Sequence, residues 1–168
     1  SMLAEDTKPS RLQRAVRDLD AVAPRLLPGT EISSGFGSPF WSPDSRYIAY
    51  ADGNKLRKVD ASGTTPPLTI SEVKGTAGQG SWGRDGVILY TPRADGPVFR
   101  ISANGGAPAA ATALDTTLSE ITHRYPSFLP DGRHFLYLAR RGGAGAGEAP
   151  VICAGSLGSP ARRRVVDV

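Results

Sequence analysis

The sequence predicts an all-β fold in which four-stranded antiparallel blades stack into a partial β-propeller of about three and a half blades. Three observations support this: one short phrase occurs three times, its copies lie one blade length apart, and the composition suits short strands and turns. The 168 residues include 20 glycines and 14 prolines, with 39% hydrophobic but only 7% aromatic residues. This composition favours tight turns over long helices and still allows a core.

The repeated phrase consists of an aromatic residue, a turn and an apolar run that ends in tyrosine. Its copies are 41–50 (WSPDSRYIAY), 82–90 (WGRDGVILY) and 128–137 (FLPDGRHFLY). Proline presets a turn, aspartate bonds back to nearby amides, and glycine or serine follows at the reversal. We therefore interpret Asp44, Asp85 and Asp131 as structural turn residues and not as a catalytic constellation.

Each phrase predicts the junction between the first and second strands of a blade. The predicted second strands are 47–50, 87–90 and 135–137, the third strands 55–60, 98–102 and 151–154, and the fourth strands 68–70, 109–113 and 163–166. The three turn aspartates are 41 and 46 residues apart. Four strands within about 40 to 46 residues are typical of a propeller blade.

The same spacing predicts the domain organisation. Residues 1–11 are expected to be a tag remnant and a disordered lead, followed by the last two strands of a partial blade at 12–31, and by blades at 32–74, 75–116 and 117–168, the last with a Gly-rich insertion at 142–149. For 12–31 a short helix is the alternative, because Leu12, Val16 and Leu19 recur at helical spacing behind a possible cap at Ser10.

The repeated phrase resembles the TolB-like propeller repeat, in which an aromatic residue and Ser-Pro-Asp-Gly precede a short apolar strand. The stretch 123–137 (HRYPSFLPDGRHFLY) is similar to propeller modules appended to bacterial serine/threonine kinases. This resemblance implies a non-catalytic sensory or protein-interaction scaffold within a larger bacterial protein. Ser45 and the pair Gly83-Arg84 depart from the repeat. The alternatives are a propeller enzyme, such as a hydrolase or lactonase, and the propeller cap of a serine peptidase.

Few residues suggest a functional site. Arg84, Arg93, Arg124 and Tyr125 all lie near predicted turns and are the candidate binding residues for a ligand that is either a protein or a small molecule. The chain has two histidines, His123 and His134, and one cysteine, which is too small a set for a typical zinc site. We therefore expect no catalytic residues, no metal and no cofactor.

Charge and chain architecture restrict the expected partners. The net charge is +4, and the basic triplet Arg162–Arg164 lacks interleaved aromatic residues, so we expect no nucleic-acid partner. No apolar run is long enough to span a membrane. An open arc of blades would expose apolar faces and strand edges, which predicts self-association to complete or shield the propeller. The sequence does not determine the cellular compartment, and a periplasmic or other extracytoplasmic location is favoured over the cytoplasm.

Overall fold

The computed structural model describes residues 12–31, 37–73, 78–143 and 149–167. The predicted lead at 1–11 and most of the Gly-rich insertion lie outside these residues. The strands are β1 (Gln13–Val16), β2 (Arg25–Glu31), β3 (Phe40–Trp41), β4 (Tyr47–Asp52), β5 (Lys55–Asp60), β6 (Leu68–Glu72), β7 (Gly80–Trp82), β8 (Val87–Tyr90), β9 (Phe99–Ser102), β10 (Ala109–Ala110), β11 (Glu120–Phe128), β12 (His134–Arg141), β13 (Val151–Ser156) and β14 (Ser159–Asp167). A 3-10 turn, Thr116–Leu118, precedes β11.

The strands form three antiparallel four-stranded sheets and one two-stranded sheet. Blade 1 is β3 to β6, blade 2 is β7 to β10, blade 3 is β11 to β14, and the half-blade is β1 with β2. The first strands of consecutive blades are neighbours, because β3 contacts β7 and β7 contacts β11. The first strand is therefore the inner strand of each blade. The predicted all-β partial propeller is confirmed.

Residues 12–31 contain a β-ribbon and no helix. β1 and β2 pair antiparallel, with Ala15 opposite Leu26 and Val16 opposite Arg25. Val16 and Leu27 are buried and pack on the second strand of blade 1, in a cluster with Ile48, Tyr50 and Val59. This burial against a neighbouring sheet outweighs the weak helical periodicity of the segment.

The three repeated turns share one hydrogen-bond pattern. In each, the N–H of the residue directly after the first strand donates to the carbonyl oxygen of the residue that begins the second strand: Ser42 to Tyr47, Gly83 to Val87 and Leu129 to His134, all at 2.8 Å. Ser45, Gly86 and Gly132 occupy the equivalent position with φ of 58°, 72° and 71°. Serine in the first copy therefore adopts the left-handed conformation that glycine supplies in the other two.

Alternating residues of each second strand connect the blades. Tyr50 faces the half-blade, whereas Ala49 belongs to the cluster between blades 1 and 2. Tyr90 joins that same cluster, and its neighbour Leu89 packs towards blade 3 with Phe135. When both faces of a strand pack against neighbouring sheets, consecutive residues must be apolar. This explains the apolar run that ends each copy of the repeated phrase.

All three predicted fourth strands differ in length from those observed, and that of blade 1 continues to Glu72, two residues beyond its predicted end. The fourth strand of blade 2 ends at Ala110, because the next two amides turn back: Ala111 and Thr112 both donate to the carbonyl oxygen of Val98, at 2.8 and 3.3 Å. The fourth strand of blade 3 is longer than predicted and runs from Ser159, since it pairs with β13 along its length.

Candidate binding cleft

The candidate cleft lies at the loop end of blades 2 and 3, the end of the sheets opposite the repeated turns. The loop between β8 and β9 extends the inner edge of β11 through a parallel bridge between Gly96 and Thr122. Gly96 donates its N–H to Ile121 at 2.8 Å, and His123 donates its N–H to Gly96 at 2.9 Å. These backbone bonds hold the loop of one blade against the first strand of the next.

Two of the four candidate residues, Arg93 and Arg124, line one cleft of about 360 Å³. Arg124 is held in place because its guanidinium donates to the carbonyl oxygen of Ala94 at 2.6 Å and to Thr122 Oγ1 at 3.4 Å. Arg93 makes an exposed ion pair with Asp95 at 3.1 Å. An exposed pair of this kind contributes little to stability, so Arg93 can exchange Asp95 for another carboxylate at low cost.

Tyr125 follows Arg124 in β11 and has an unusual backbone. Its φ is +54°, in the left-handed region that residues with a bulky side chain rarely adopt. The register of β11 against β12 shifts between Arg124 and Ser127, so Tyr125 lies in a β-bulge. Its side chain is 54% exposed. Bulges of this kind direct a side chain away from the sheet, and strained backbone is concentrated at functional positions.

Arg84 does not belong to this cleft. It lies exposed in the β7–β8 turn, at the opposite end of the sheets, where its Cβ is near Gly132 of the next blade's turn. The turn aspartates share that end: Asp44 accepts from the N–H of Arg46 at 3.1 Å, and Asp131 accepts from the N–H groups of Arg133 and His134, both at 2.9 Å. Asp85 is exposed in the second turn.

A buried polar network lies between blades 2 and 3, and the sequence did not indicate the partners that His123 has in it. His123 is fully buried, with Nδ1 2.8 Å from Thr112 Oγ1 and Nε2 3.1 Å from Glu120 Oε2. Arg162 of β14 donates to Glu120 Oε1 at 2.5 Å and to Asp115 Oδ2 at 3.0 Å. The network ties the segment between the blades to the last strand. The sequence pattern gave little indication of this network, because its hydrogen-bonded partners are up to 47 residues apart in the chain.

The network favours a charged carboxylate and a neutral imidazole. Burial lowers the pKa of His123, against the opposing effect of Glu120. Burial also acts to raise the pKa of Glu120, but hydrogen bonds from the Asp115 N–H, Arg162 and His123 outweigh it and lower that pKa overall. With His123 neutral, Nε2–H donates to Glu120 and Nδ1 accepts from the Thr112 hydroxyl.

The described residues offer little other reactive chemistry. Cys153 is buried, and burial raises the pKa of its thiol, which disfavours the thiolate. Within 12–31, 37–73, 78–143 and 149–167, no three His, Cys, Asp or Glu side chains are grouped so that they could hold a metal ion. The same residues contain no helix long and apolar enough to cross a membrane.

Comparison with solved structures gives the fold independently. The structure of TolB from Acinetobacter baumannii superposes with a TM-score of 0.68 at 24% identity, over 90% of this chain and 37% of the TolB chain. A chain of a nidogen/laminin complex superposes with a TM-score of 0.60 at 12% identity, over 77% of this chain and 47% of that chain. Both are β-propellers. This chain has the propeller fold.

At these identities the comparisons establish the fold alone. The chain spans about a third of the TolB chain and less than half of the nidogen/laminin chain. No protein-family model matches the sequence, and a search of curated proteins finds no match either.

The buried imidazole predicts a dependence of stability on pH. Below about pH 6.5, the ordinary histidine pKa, the unfolded chain takes up a proton that His123 in the folded chain resists, so acid favours unfolding. We expect the free energy of unfolding to decrease between about pH 7 and pH 5, and the slope to be shallower in His123→Gln. Urea denaturation followed by tryptophan fluorescence measures both. Identical slopes in the two proteins would contradict this role for His123.

Proposed function

We propose that this chain is a non-catalytic protein-binding scaffold, part of a larger bacterial protein, with a sensory or interaction role like that implied by its resemblance to kinase-appended propellers. The observation that carries the proposal is Tyr125, a large exposed aromatic side chain held at positive φ beside Arg124. Such a conformation costs about 1–3 kcal/mol and persists only where the surrounding structure enforces it. Packing within the blade does not require an exposed tyrosine there.

The residue types of the cleft suit recognition of a protein. Tyrosine and arginine are enriched among the residues that dominate interface energies. Arg124 is oriented by Ala94, so little side-chain entropy is lost when a partner docks beside it. Arg93 lines the same cleft from the neighbouring blade. The cleft therefore offers two guanidinium groups, one of them paired with Asp95, to a partner that presents carboxylates, and the exposed Tyr125 follows Arg124 directly in the chain.

The rigid blades provide the frame for this surface. Arg93 lies on the β8–β9 loop and Arg124 on β11 at the start of the bulge, and both segments are fixed by backbone hydrogen bonds to a four-stranded sheet. Binding residues on loops positioned by a rigid scaffold are common in β folds. The nidogen/laminin complex is a solved assembly that contains a protein with this fold. The fold alone does not determine a partner, so the proposal rests on the cleft.

An NMR titration tests the proposal with a defined acidic probe. A blocked Glu-rich hexapeptide is added to isotopically labelled protein, and amide shifts are followed. We expect changes concentrated in 91–98 and 120–126, and an affinity reduced about tenfold in Tyr125→Ala and in Arg124→Ala. Arg84→Ala removes an exposed arginine at the opposite end and serves as the matched control. Shifts centred on the turn around Arg84, or equal losses in all three variants, would refute the assignment.

A further inference from the structure

An apolar pocket lies between blades 1 and 2, where the β8–β9 loop that lines the binding cleft also forms one of its walls. Its volume is about 480 Å³, within the range of ordinary ligand sites. The apolar side chains around it are Val73, Tyr90, Pro92, Pro97, Phe99 and Pro108. Blades 1 and 2 each have all four strands, so the pocket is a feature of the seam between two whole blades.

Phe99 makes this pocket different from the corresponding positions of the other blades. The tyrosine that ends each copy of the repeated phrase has a cross-strand partner on the third strand: Arg57 for Tyr50, Phe99 for Tyr90 and Cys153 for Tyr137. Tyr90 and Phe99 form an aromatic pair with ring centroids 6.2 Å apart. Blade 2 therefore has a second aromatic ring where blade 1 has a guanidinium group and blade 3 has a small thiol.

The electrostatic surroundings of the three tyrosines agree with this difference. Burial raises the pKa of Tyr90 to about 12. Burial also raises the pKa of Tyr50 and of Tyr137, but there an arginine acts in the opposite direction: Arg57 on Tyr50 and Arg162 on Tyr137. The surroundings of Tyr90 are therefore less polar than those of the other two tyrosines, which favours an apolar group in the pocket.

The pocket and the binding cleft are adjacent, because Arg93 and Asp95 line both of them. Arg124 lines the cleft and not the pocket, whereas the exposed Glu72 lines the pocket and not the cleft. The two guanidinium groups attract a ligand carboxylate to the cleft, and Glu72 repels it from the pocket. A ligand that occupies both places therefore has its acidic group in the cleft and its apolar group in the pocket.

We propose that the protein partner presents an extended segment with an aromatic side chain two residues from a glutamate, the aromatic ring occupying the pocket and the glutamate carboxylate binding in the cleft. This inference rests on the proposed function, because it names the kind of segment that the cleft binds. The β8–β9 loop is a wall of both sites, and one backbone is about 5 Å wide, the spacing of neighbouring strands. Side chains i and i+2 of an extended segment point the same way about 7 Å apart, so one segment reaches both sites.

Calorimetric titration with two blocked hexapeptides of equal charge tests this inference. Both are Glu-rich, and they differ at one position, two residues before a glutamate, which is phenylalanine in one and alanine in the other. We expect the phenylalanine peptide to bind the wild type about tenfold more tightly or better. Phe99→Arg gives the pocket the residue that blade 1 has at this position, and the advantage is expected to fall below about twofold. Leu129→Arg adds the same charge at an exposed residue of the third repeated turn and is the matched control, which keeps the advantage.

Intermolecular NOEs on the wild type locate the peptide ring without any variant, so the test stands even if circular dichroism shows Phe99→Arg to be unfolded. We expect NOEs from the phenyl protons to Phe99 and Val73. Equal affinities for the two peptides, both weakened by Arg124→Ala, would overturn this inference and leave the acidic cleft in place. Binding of neither peptide would overturn both proposals. NOEs to residues outside the pocket, or an advantage that persists in a folded Phe99→Arg protein, would also overturn it.

Discussion

Replacing Phe135 with alanine is expected to lower the free energy of unfolding by about 3–5 kcal/mol. Phe135 is fully buried in the cluster between blades 2 and 3. Its ring packs edge-on to Phe128 at a centroid distance of 6.2 Å. A Cβ added at Gly155 would come within 2.8 Å of the same ring, so the backbone of β13 closely approaches it. Truncation leaves a cavity that the two sheets cannot fill without separating from their hydrogen-bonded positions.

Urea denaturation of the purified variant measures this effect. Leu118→Ala, at an exposed leucine of the 3-10 turn, is the control and is expected to change stability by less than about 0.5 kcal/mol. Similar losses in the two variants would show that Phe135 does not hold blades 2 and 3 together.

Glu120→Gln is expected to lower the free energy of unfolding by about 2–3 kcal/mol. The carboxylate accepts from Arg162, from His123 and from the N–H of Asp115 at 2.8 Å. An amide places an NH₂ group against at least one of these donors and removes the charge that compensates Arg162. Burial makes the loss large, because the side chain of Glu120 is 5% exposed and that of His123 is 0% exposed.

Asp95→Asn is the matched control, since it converts a carboxylate to an amide in the exposed pair with Arg93. The expected change there is below about 0.5 kcal/mol. Thermal and urea denaturation of both variants give the comparison. Equal effects would mean that the buried network does not contribute more than a surface ion pair.

The fold could be predicted because its signal is local and repeated. The turn phrase contains its own hydrogen-bonding groups, and the apolar run after it is a strand buried on both faces. The half-blade at 12–31 was harder to predict, because only contact with Ile48 and Tyr50 distinguishes its strands from a helix. The length of the fourth strand in blade 2 depends on Val98, because its carbonyl oxygen accepts hydrogen bonds from the N–H groups of Ala111 and Thr112.

The sites were predictable only in part, because they depend on contacts between blades. Expected exposure near turns made Arg84, Arg93, Arg124 and Tyr125 the candidates, and the structure brings Arg93 and Arg124 to one cleft. Sequence reasoning could not separate Arg84 from them, because only the order of strands in the blades puts the Arg84 turn at the opposite end of the sheets. Nothing in the sequence around His123 indicates its partner Thr112, which a different blade supplies. No local pattern encodes the positive φ of Tyr125 either.

The rival to a binding scaffold is a hydrolase that uses Thr112, His123 and Glu120. The three side chains form a hydroxyl–imidazole–carboxylate series, and Thr112 lines a surface pocket of about 350 Å³. However, Thr112 Oγ1 also accepts the N–H of Val98 at 3.0 Å, and Arg162 compensates the charge of Glu120. Both contacts make the hydroxyl a weaker nucleophile, which supports a structural role.

Hydrolysis assays on a panel of aryl esters and lactones, with the wild type and Thr112→Val side by side, test the proposed absence of catalysis most directly. We expect both proteins to give the rate of buffer alone. Turnover by the wild type that is lost in a folded Thr112→Val protein would contradict the account and identify the chain as a propeller hydrolase.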